Sequence, residues 1–479
     1  MKVFLGPALL TSRFFAVLIL FYTCLHLSES STGNRTEVLR SNPSVLYVWS
    51  GQEPSVNNAA DFVAVIDFDE TSSTYGSILR VVPLVSDASN RVGQANNEPH
   101  HSGISSDGQF FITGGLLSFL SGNKEIFIWR IPENPLDGPE YLCAIDAPGS
   151  ACTDEFLPIG PYSFLASMMC DETANSPGDM VLINALDCTA TSFLEDRSLR
   201  NFNPHGFGML TNGSIFTADY IVPITLTETD PSKIVFQSTV RHFYPDGSLQ
   251  RTFNFPYPTN PETGLGSGIG FMELKPIPND PLGRVYACGT NTNLIYLITP
   301  GIPEPVPVLD ASVVNGYDIK PSAGIISIFE SGKLAIMSFQ MRFLLLVDIS
   351  VPEEPNILFT FDFCTDSSIA NMPIQIPGLP GTTTFPEYCA ANANNTGTHV
   401  VMIPPGENRF VVLNYFLQFG LAQFAGTRSM HVFKVDPNMR SFTYDQLFNP
   451  NFPDSELSPD FPTFYSMQAH PHHADYIKL

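Results

Sequence analysis

Apolar positions along the chain come in short bursts with a period of two, not the 3.6 of a helix, and polar turn residues separate the bursts. "SVLYVWSG" followed by "DFVAVIDFDE" sets the pattern: a turn, an apolar strand, then a second strand ending in a polar residue. The same unit returns in "SSDGQFFITGG…EIFIWRIPE", "PYSFLASMM…DMVLINALD" and "LTNGSIFTADY…VRHFYPDGSLQRTF". It continues in "NDPLGRVYACGT…NLIYLITPG", "FESGKLAIMSF…FLLLVDISVPEEPNILFTF" and "PPGENRFVVLNY…SMHVFKVDPNMRSFTY". About seven copies begin roughly 50–75 residues apart, long for a propeller blade but suited to one with inserted loops. "YPDGSLQ" marks a hairpin directly, because Asp-Gly takes the positive φ angles of a tight turn. Such units leave sheet edges that closure into a ring protects. The pattern therefore predicts an all-β fold, one seven-bladed β-propeller as a single domain over residues 30–479, with its first blade starting near residue 40. Two β-sandwich domains are the alternative, but no linker-like stretch divides the chain. The segment 369–398, "IANMPIQIPGLPGTTTFPEYCAANANNTGT", is expected to be a long loop.

The composition agrees with strands and irregular loops. Of 479 residues, 43% are hydrophobic and 15% charged, with 38 Phe, 41 Pro and 34 Gly, so helix-forming charged residues are scarce and turn formers abundant. A formal charge of −24 repels phosphate backbones and anionic membranes, which excludes nucleic acid as an expected partner and otherwise serves solubility. Residues 1–29 are expected to be a signal peptide: Lys2 and Arg13 precede an apolar run from Phe14 to about Leu27, followed by small polar residues. That run is short for a bilayer span, and no later segment is apolar enough to cross, so a secreted protein free of the membrane after signal removal is expected; an uncleaved anchor is the other reading.

Export makes the cysteines legible as disulfides. Cys24 lies in the signal segment, leaving Cys143, Cys152, Cys170, Cys188, Cys288, Cys364 and Cys389. Sequence does not fix their pairing, but closeness along the chain favours Cys143–Cys152, Cys170–Cys188 and Cys364–Cys389, with Cys288 free. Sequons at Asn34, Asn212 and Asn394 suit a secreted glycoprotein.

The chain has only 10 histidines, yet "EPHHSG" pairs His100 with His101, and "AHPHHADYIKL" groups His470, His472 and His473 near the end. A propeller closes by bringing its two ends together, so these distant groups are expected to meet near the axis. Adjacent side chains on a regular strand point to opposite faces, so a His-His pair shares one ion only where the backbone is irregular, as Pro99 and Gly103 suggest. Imidazoles suit copper, zinc or iron. His205 in "NPHGFG" is a weaker candidate, and His242, His399 and His431 lie in expected strands and read as structural. There is no Walker loop, HExxH or GxSxG, and "GLGSGIGF" reads as an irregular inner loop because it opens no helix. Asp67, Asp69 and Glu70 offer calcium-type ligands but read first as a turn with solvated acids.

Several stretches, in order, resemble the selenium-binding protein / methanethiol oxidase family: "DFVAVIDFDETSSTYGSILRVVPL", "EPHHSG", "EIFIWRIPENP", "LLLVDISVPEEPNILFTF", "HVVMIPPGENRFVVLNYFLQFG" and "FNPNF…AHPHHADYIKL". The resemblance covers most of the chain in patches. It implies a seven-bladed propeller and a copper-dependent oxidase that takes methanethiol, O₂ and water to formaldehyde, hydrogen sulfide and hydrogen peroxide. It also implies His100, His101 and His470 as copper ligands; His472 or His473 is expected to replace a missing family ligand as a fourth, or to support the ligands from behind. Where the family carries a Cys-Ser-Ser-Cys stretch after its His-His pair, this chain has "ISSDGQ", so selenium binding is not implied. A further family histidine near Pro161-Tyr162-Ser163, and a Glu and Arg near Gly268-Ile269-Gly270-Phe271, are also missing. The competing expectation is a secreted propeller that kept the fold as a binding or scaffold protein; a calcium-dependent lactonase ranks below both.

Overall fold

The computed structural model describes residues 44–51, 60–84, 96–257, 268–314, 316–319, 324–375, 381–392, 395–420, 422–423, 426–450, 452 and 469–478. Within them, seven antiparallel four-stranded sheets follow one another along the chain. The innermost strands are Pro99–Ile104, Ala151–Pro158, Pro204–Met209, Phe271–Pro276, Ile325–Ile328, Val400–Met402 and His470–Lys478. Each touches the next, and the last touches the first, so they form a closed ring around an axis. The protein is an all-β, seven-bladed β-propeller.

Ring closure is made by the end of the chain. His470–Lys478 pairs antiparallel with Ser44–Gly51 and becomes the inner strand of blade 1, whose remaining strands come from the start of the described chain. Blades 2 to 7 each take their four strands in sequence order from the axis outwards.

The apolar runs that open each sequence repeat are the middle strands of the blades. Phe62–Asp67, Leu334–Phe339 and Arg409–Leu413 are buried along their whole length, because each face of a blade packs on a neighbouring blade. A strand covered on both faces reads as a continuous apolar run. Accordingly the core is divided into layers between blades: Val45, Tyr47, Trp49, Phe111 and Trp129 between blades 1 and 2, and Tyr286, Leu297, Met337 and Leu345 between blades 5 and 6. Polar tips are satisfied across the same seams: Trp49 Nε1 donates to the Gly114 carbonyl (2.8 Å) and the Tyr47 hydroxyl to that of Pro135 (2.8 Å).

The disulfides are Cys143–Cys188, Cys152–Cys170 and Cys364–Cys389, with Cys288 buried and free. Two of the three pairings differ from those expected from closeness. Cys143 lies on the outer strand of blade 2 and Cys152 on the inner strand of blade 3, so the eight intervening residues carry the chain from rim to axis. Antiparallel pairing then sets Ala151 opposite Cys170, which brings Cys152 to the same bridge. The segment expected to be a loop contains a two-stranded ribbon, Pro373–Gln375 with Thr382–Thr384, and a short helix, Phe385–Ala391. Thr384 and Glu387 form a reciprocal capping box at its start, and Cys364–Cys389 ties it down.

Residues 1–29 with Cys24, and the sequons at Asn34 and Asn394, lie outside the described residues, whereas Asn212 is exposed in a turn. Among the described residues no helix is long and apolar enough to cross a membrane.

Candidate metal centre

Five inner strands share one irregularity. In blade 2 the register slips between Pro99 and Ser102, so His100 and His101 together oppose the single residue Gly114. The same two-against-one bulge holds Asp154 and Glu155 in blade 3 and His205 and Gly206 in blade 4. Blade 5 slips at Met272, just before Glu273, and in blade 1 the slip leaves His472 as the extra residue between Pro471 and His473. A bulge re-aims side chains that a regular pleat would send to opposite faces. It lets consecutive residues turn to the axis together. Gly206 shows how tight the packing is: a Cβ there would lie 2.8 Å from the Leu274 amide nitrogen and the Met272 carbonyl oxygen of blade 5.

The result is a buried knot of imidazoles. Ring centroids of His100 lie 4.1 Å from His472, 4.7 Å from His101, 6.1 Å from His399 and 6.2 Å from His205. Ligand atoms of His100, His101, His399 and His472 all lie within 4.8 Å of one another, and those of His100, Asp154 and His205 form a second such group. Both ring nitrogens of His100, His399 and His472 lack a hydrogen-bond partner, as do His101 Nε2, His205 Nδ1 and both oxygens of Asp154. Buried polar atoms are normally satisfied, so this many unpaired donors and acceptors in one place needs an explanation.

Electrostatics narrows it. Burial, followed by repulsion from neighbouring imidazoles, holds His100, His101 and His472 well below the ordinary histidine value. Burial and the nearby His473 push His399 down to about 3. For His205, burial and the charges of His399 and Lys275 outweigh a hydrogen bond to the Met272 backbone that acts the other way. The rings are neutral at pH 7 and present lone pairs. Asp154 lies among them with Oδ2 3.1 Å from His205 Nε2 and 3.9 Å from His100 Nε2, and with Oδ1 3.4 Å from His101 Nε2; none of these contacts is a hydrogen bond. Burial, then Glu155 and Glu273, raise its carboxyl well above the usual range. Neutral imidazoles around a buried carboxyl group without a hydrogen bond form a donor set that a cation, displacing the carboxyl proton, would complete.

Not every expected ligand joins the group. His470 stacks on Tyr415 (4.3 Å, 27°) and fits against Gly51, where a Cβ would lie 2.1 Å from its Nε2; it is outside both groups of converging atoms. The blade 1 bulge gives the inward position to His472 instead. His473 lies beside His101 (5.0 Å between centroids), with its Nδ1 2.9 Å from the Ser102 hydroxyl, which also donates to Asp475. His399, read from sequence as a structural strand residue, directly precedes the inner strand of blade 7 and joins the cluster. Asp154 was missed, because the adjacent acids Asp154 and Glu155 in "ACTDEF" resemble a solvated stretch; a search for adjacent polar pairs in otherwise apolar strands would have found it. His431 has both nitrogens occupied, by Ser429 (2.8 Å) and Tyr444 (3.2 Å), and His242 stacks on Phe216 (4.0 Å, 10°). Asp67, Asp69 and Glu70 are taken up by Thr74, by Thr71 and by Lys434, and contribute to neither group.

A cavity of about 250 Å³ adjoins the cluster at His101 and His473. It is lined by the largely apolar segments 325–328 and 400–403 and by Glu155, Glu273 and Lys275. Lys275 Nζ pairs with Glu155 and lies 3.2 Å from Glu273 Oε2. Burial pushes Glu273 up to about 7, although Lys275 pulls the other way. Burial also disfavours the Lys275 ammonium, but the two carboxylates outweigh it and raise its pKa.

The chain is a β-propeller similar in fold to a selenium-binding-protein-like structure, with an axial histidine–aspartate cluster able to coordinate a metal ion. A hypothetical selenium-binding protein from Sulfolobus tokodaii superposes with a TM-score of 0.64 over 91% of this chain and 94% of its own, at 16% identity. The periplasmic gluconolactonase of Pseudomonas aeruginosa superposes less well, with a TM-score of 0.53 over 91% of this chain and 99% of its own, at 12% identity. In sequence, the chain is 31% identical to the methanethiol oxidase of Ruegeria pomeroyi over 133 residues, 27% of this chain and 26% of that enzyme, so the match spans about a quarter of the relative's length. No protein-family model matches the chain.

Proposed function

We propose that this chain is a secreted, copper-dependent oxidase of small thiols, converting methanethiol, O₂ and water to formaldehyde, hydrogen sulfide and hydrogen peroxide. The observation that carries this is the set of buried, neutral, unpartnered imidazoles of His100, His101, His399 and His472. The partial similarity to a methanethiol oxidase supports the substrate class. Copper held by these imidazoles would supply the one-electron redox chemistry between a thiolate and O₂ that zinc lacks.

The chain's own residues account for the rest. The cavity beside His101 has room for a small thiol, and its apolar lining suits an S-methyl group. Glu273, half-ionised near neutrality, is poised to take the thiol proton and to return protons to reduced oxygen, while Lys275 keeps the neighbouring carboxylates in place. The inner-strand bulges fix the imidazoles before any ligand arrives, so little reorganisation is needed. The three disulfides and the expected signal at residues 1–29 support action outside the cell.

Oxygen uptake with methanethiol by copper-loaded mature protein tests this. Turnover is expected, falling by about 100-fold or more in His101→Ala and His399→Ala. A chain that retains no copper and consumes no oxygen would instead be a propeller serving as a binding scaffold.

A further inference from the structure

The two groups of converging ligand atoms share His100 but otherwise point to different places. His399 and His472 belong only to the first, and Asp154 and His205 only to the second. Asp154, a member of the second group, also faces His101 of the first, on a strand that is itself bulged at that residue. Its two oxygens face different rings, Oδ1 towards His101 at 3.4 Å and Oδ2 towards His205 at 3.1 Å. His100 is common to both groups, but a neutral imidazole has one lone-pair nitrogen and so serves a single ion.

A single ion leaves much of this unexplained. Four imidazoles already complete a four-coordinate site, which would leave a fully buried carboxyl group (0% exposed), facing His205 Nε2 at 3.1 Å, with neither oxygen bound. A buried carboxyl group with neither oxygen hydrogen-bonded is unfavourable whichever its protonation state. A second cation would take up both of its oxygens. A carboxylate presenting one oxygen to each of two ions is the usual bridge in two-metal centres.

We infer that the axial site takes two cations, one among His100, His101, His399 and His472 and a second at Asp154 and His205, with Asp154 bridging them. The inference rests on the metal-centre part of the functional proposal and not on the identity of the thiol. The second position places an additional cation on the blade 3 and 4 side, towards Glu155 and Glu273, where it would lower the charge repulsion among those acids.

The test is copper stoichiometry and spin state. Mature protein is loaded with Cu(II), freed of loose metal on a chelating resin and assayed for copper per chain. Two ions are expected in the wild type and one in His205→Ala. Electron paramagnetic resonance of the wild type should integrate to well under its copper content, because bridged Cu(II) ions couple, whereas His205→Ala and Asp154→Asn should integrate to all of theirs. One copper in the wild type, or a fully integrating signal from a two-copper wild type, overturns the proposal even if His205→Ala fails to fold. One copper with methanethiol turnover would refute the pair and leave the oxidase standing; two coupled ions without turnover would do the reverse.

Discussion

His399 and His431 show how little residue type alone decides. Both are buried histidines pushed down to about 3 by burial, and both belong to blade 7. Yet His431 spends its two nitrogens on Ser429 and Tyr444, whereas those of His399 have no protein partner. Their alanine variants should therefore part company. His431→Ala strands the buried Tyr444 hydroxyl, while half-buried Ser429 keeps Thr427, and should lose about 1–2 kcal/mol of stability in urea unfolding while keeping its copper. His399→Ala should lose copper while its metal-free stability changes little. Sequence placed His399 correctly near a strand, but partner count depends on tertiary neighbours and cannot be read from it. Glu125 tests the electrostatics away from the centre. Burial raises its carboxyl to about 8 from an ordinary 4.5, against a hydrogen bond from Thr153. The native state holds a proton that the unfolded chain releases between those values, so this group costs stability as pH rises through that window. Glu125→Gln removes the cost: its stability relative to wild type should climb from about pH 4.5 to about pH 8 and then level off. A flat difference would show that Glu125 is ionised in the fold.

At the scale of the strand, the sequence was legible where both faces are apolar and silent where one face does chemistry. The middle strands, such as "DFVAVID" and "LLLVDIS", announce themselves by continuous burial. The inner strands "PHHSGI", "PHGFGM" and "HPHHADYIK" carry histidine, proline and glycine instead, and their bulges break the period of two. The His-His pair with Pro99 and Gly103 was the exception, since adjacent imidazoles demand an irregular backbone, and the slip between Pro99 and Ser102 supplies it. Gly206→Ala tests the bulge in blade 4 directly. Its Cβ would meet backbone on the inner strand of blade 5, so a loss of about 1–3 kcal/mol is expected, together with weakened metal binding as His205 shifts. Disulfide pairing belongs to this scale too, because it follows strand register and not sequence distance. Peptide mapping without reduction should recover Cys143 joined to Cys188 and Cys152 joined to Cys170.

At the scale of the whole molecule, one device closes the ring and builds the site. The last strand completes blade 1 and brings His472 to the axis beside His100, more than 300 residues away in sequence. The repeat count made the ring legible, and ring closure predicted that the two histidine groups would approach; which tail histidine turns inward depended on a one-residue slip that no pattern discloses. Deleting residues 470–479 should therefore lower thermal stability and abolish metal retention together. The central claim is that these axial imidazoles are metal ligands. X-ray absorption at the copper edge of loaded wild-type protein tests it most directly. The account predicts an imidazole scattering pattern with nitrogen neighbours at about 2.0 Å, reduced in His399→Ala. Copper ringed by oxygen alone, or an identical spectrum in that variant, would contradict it.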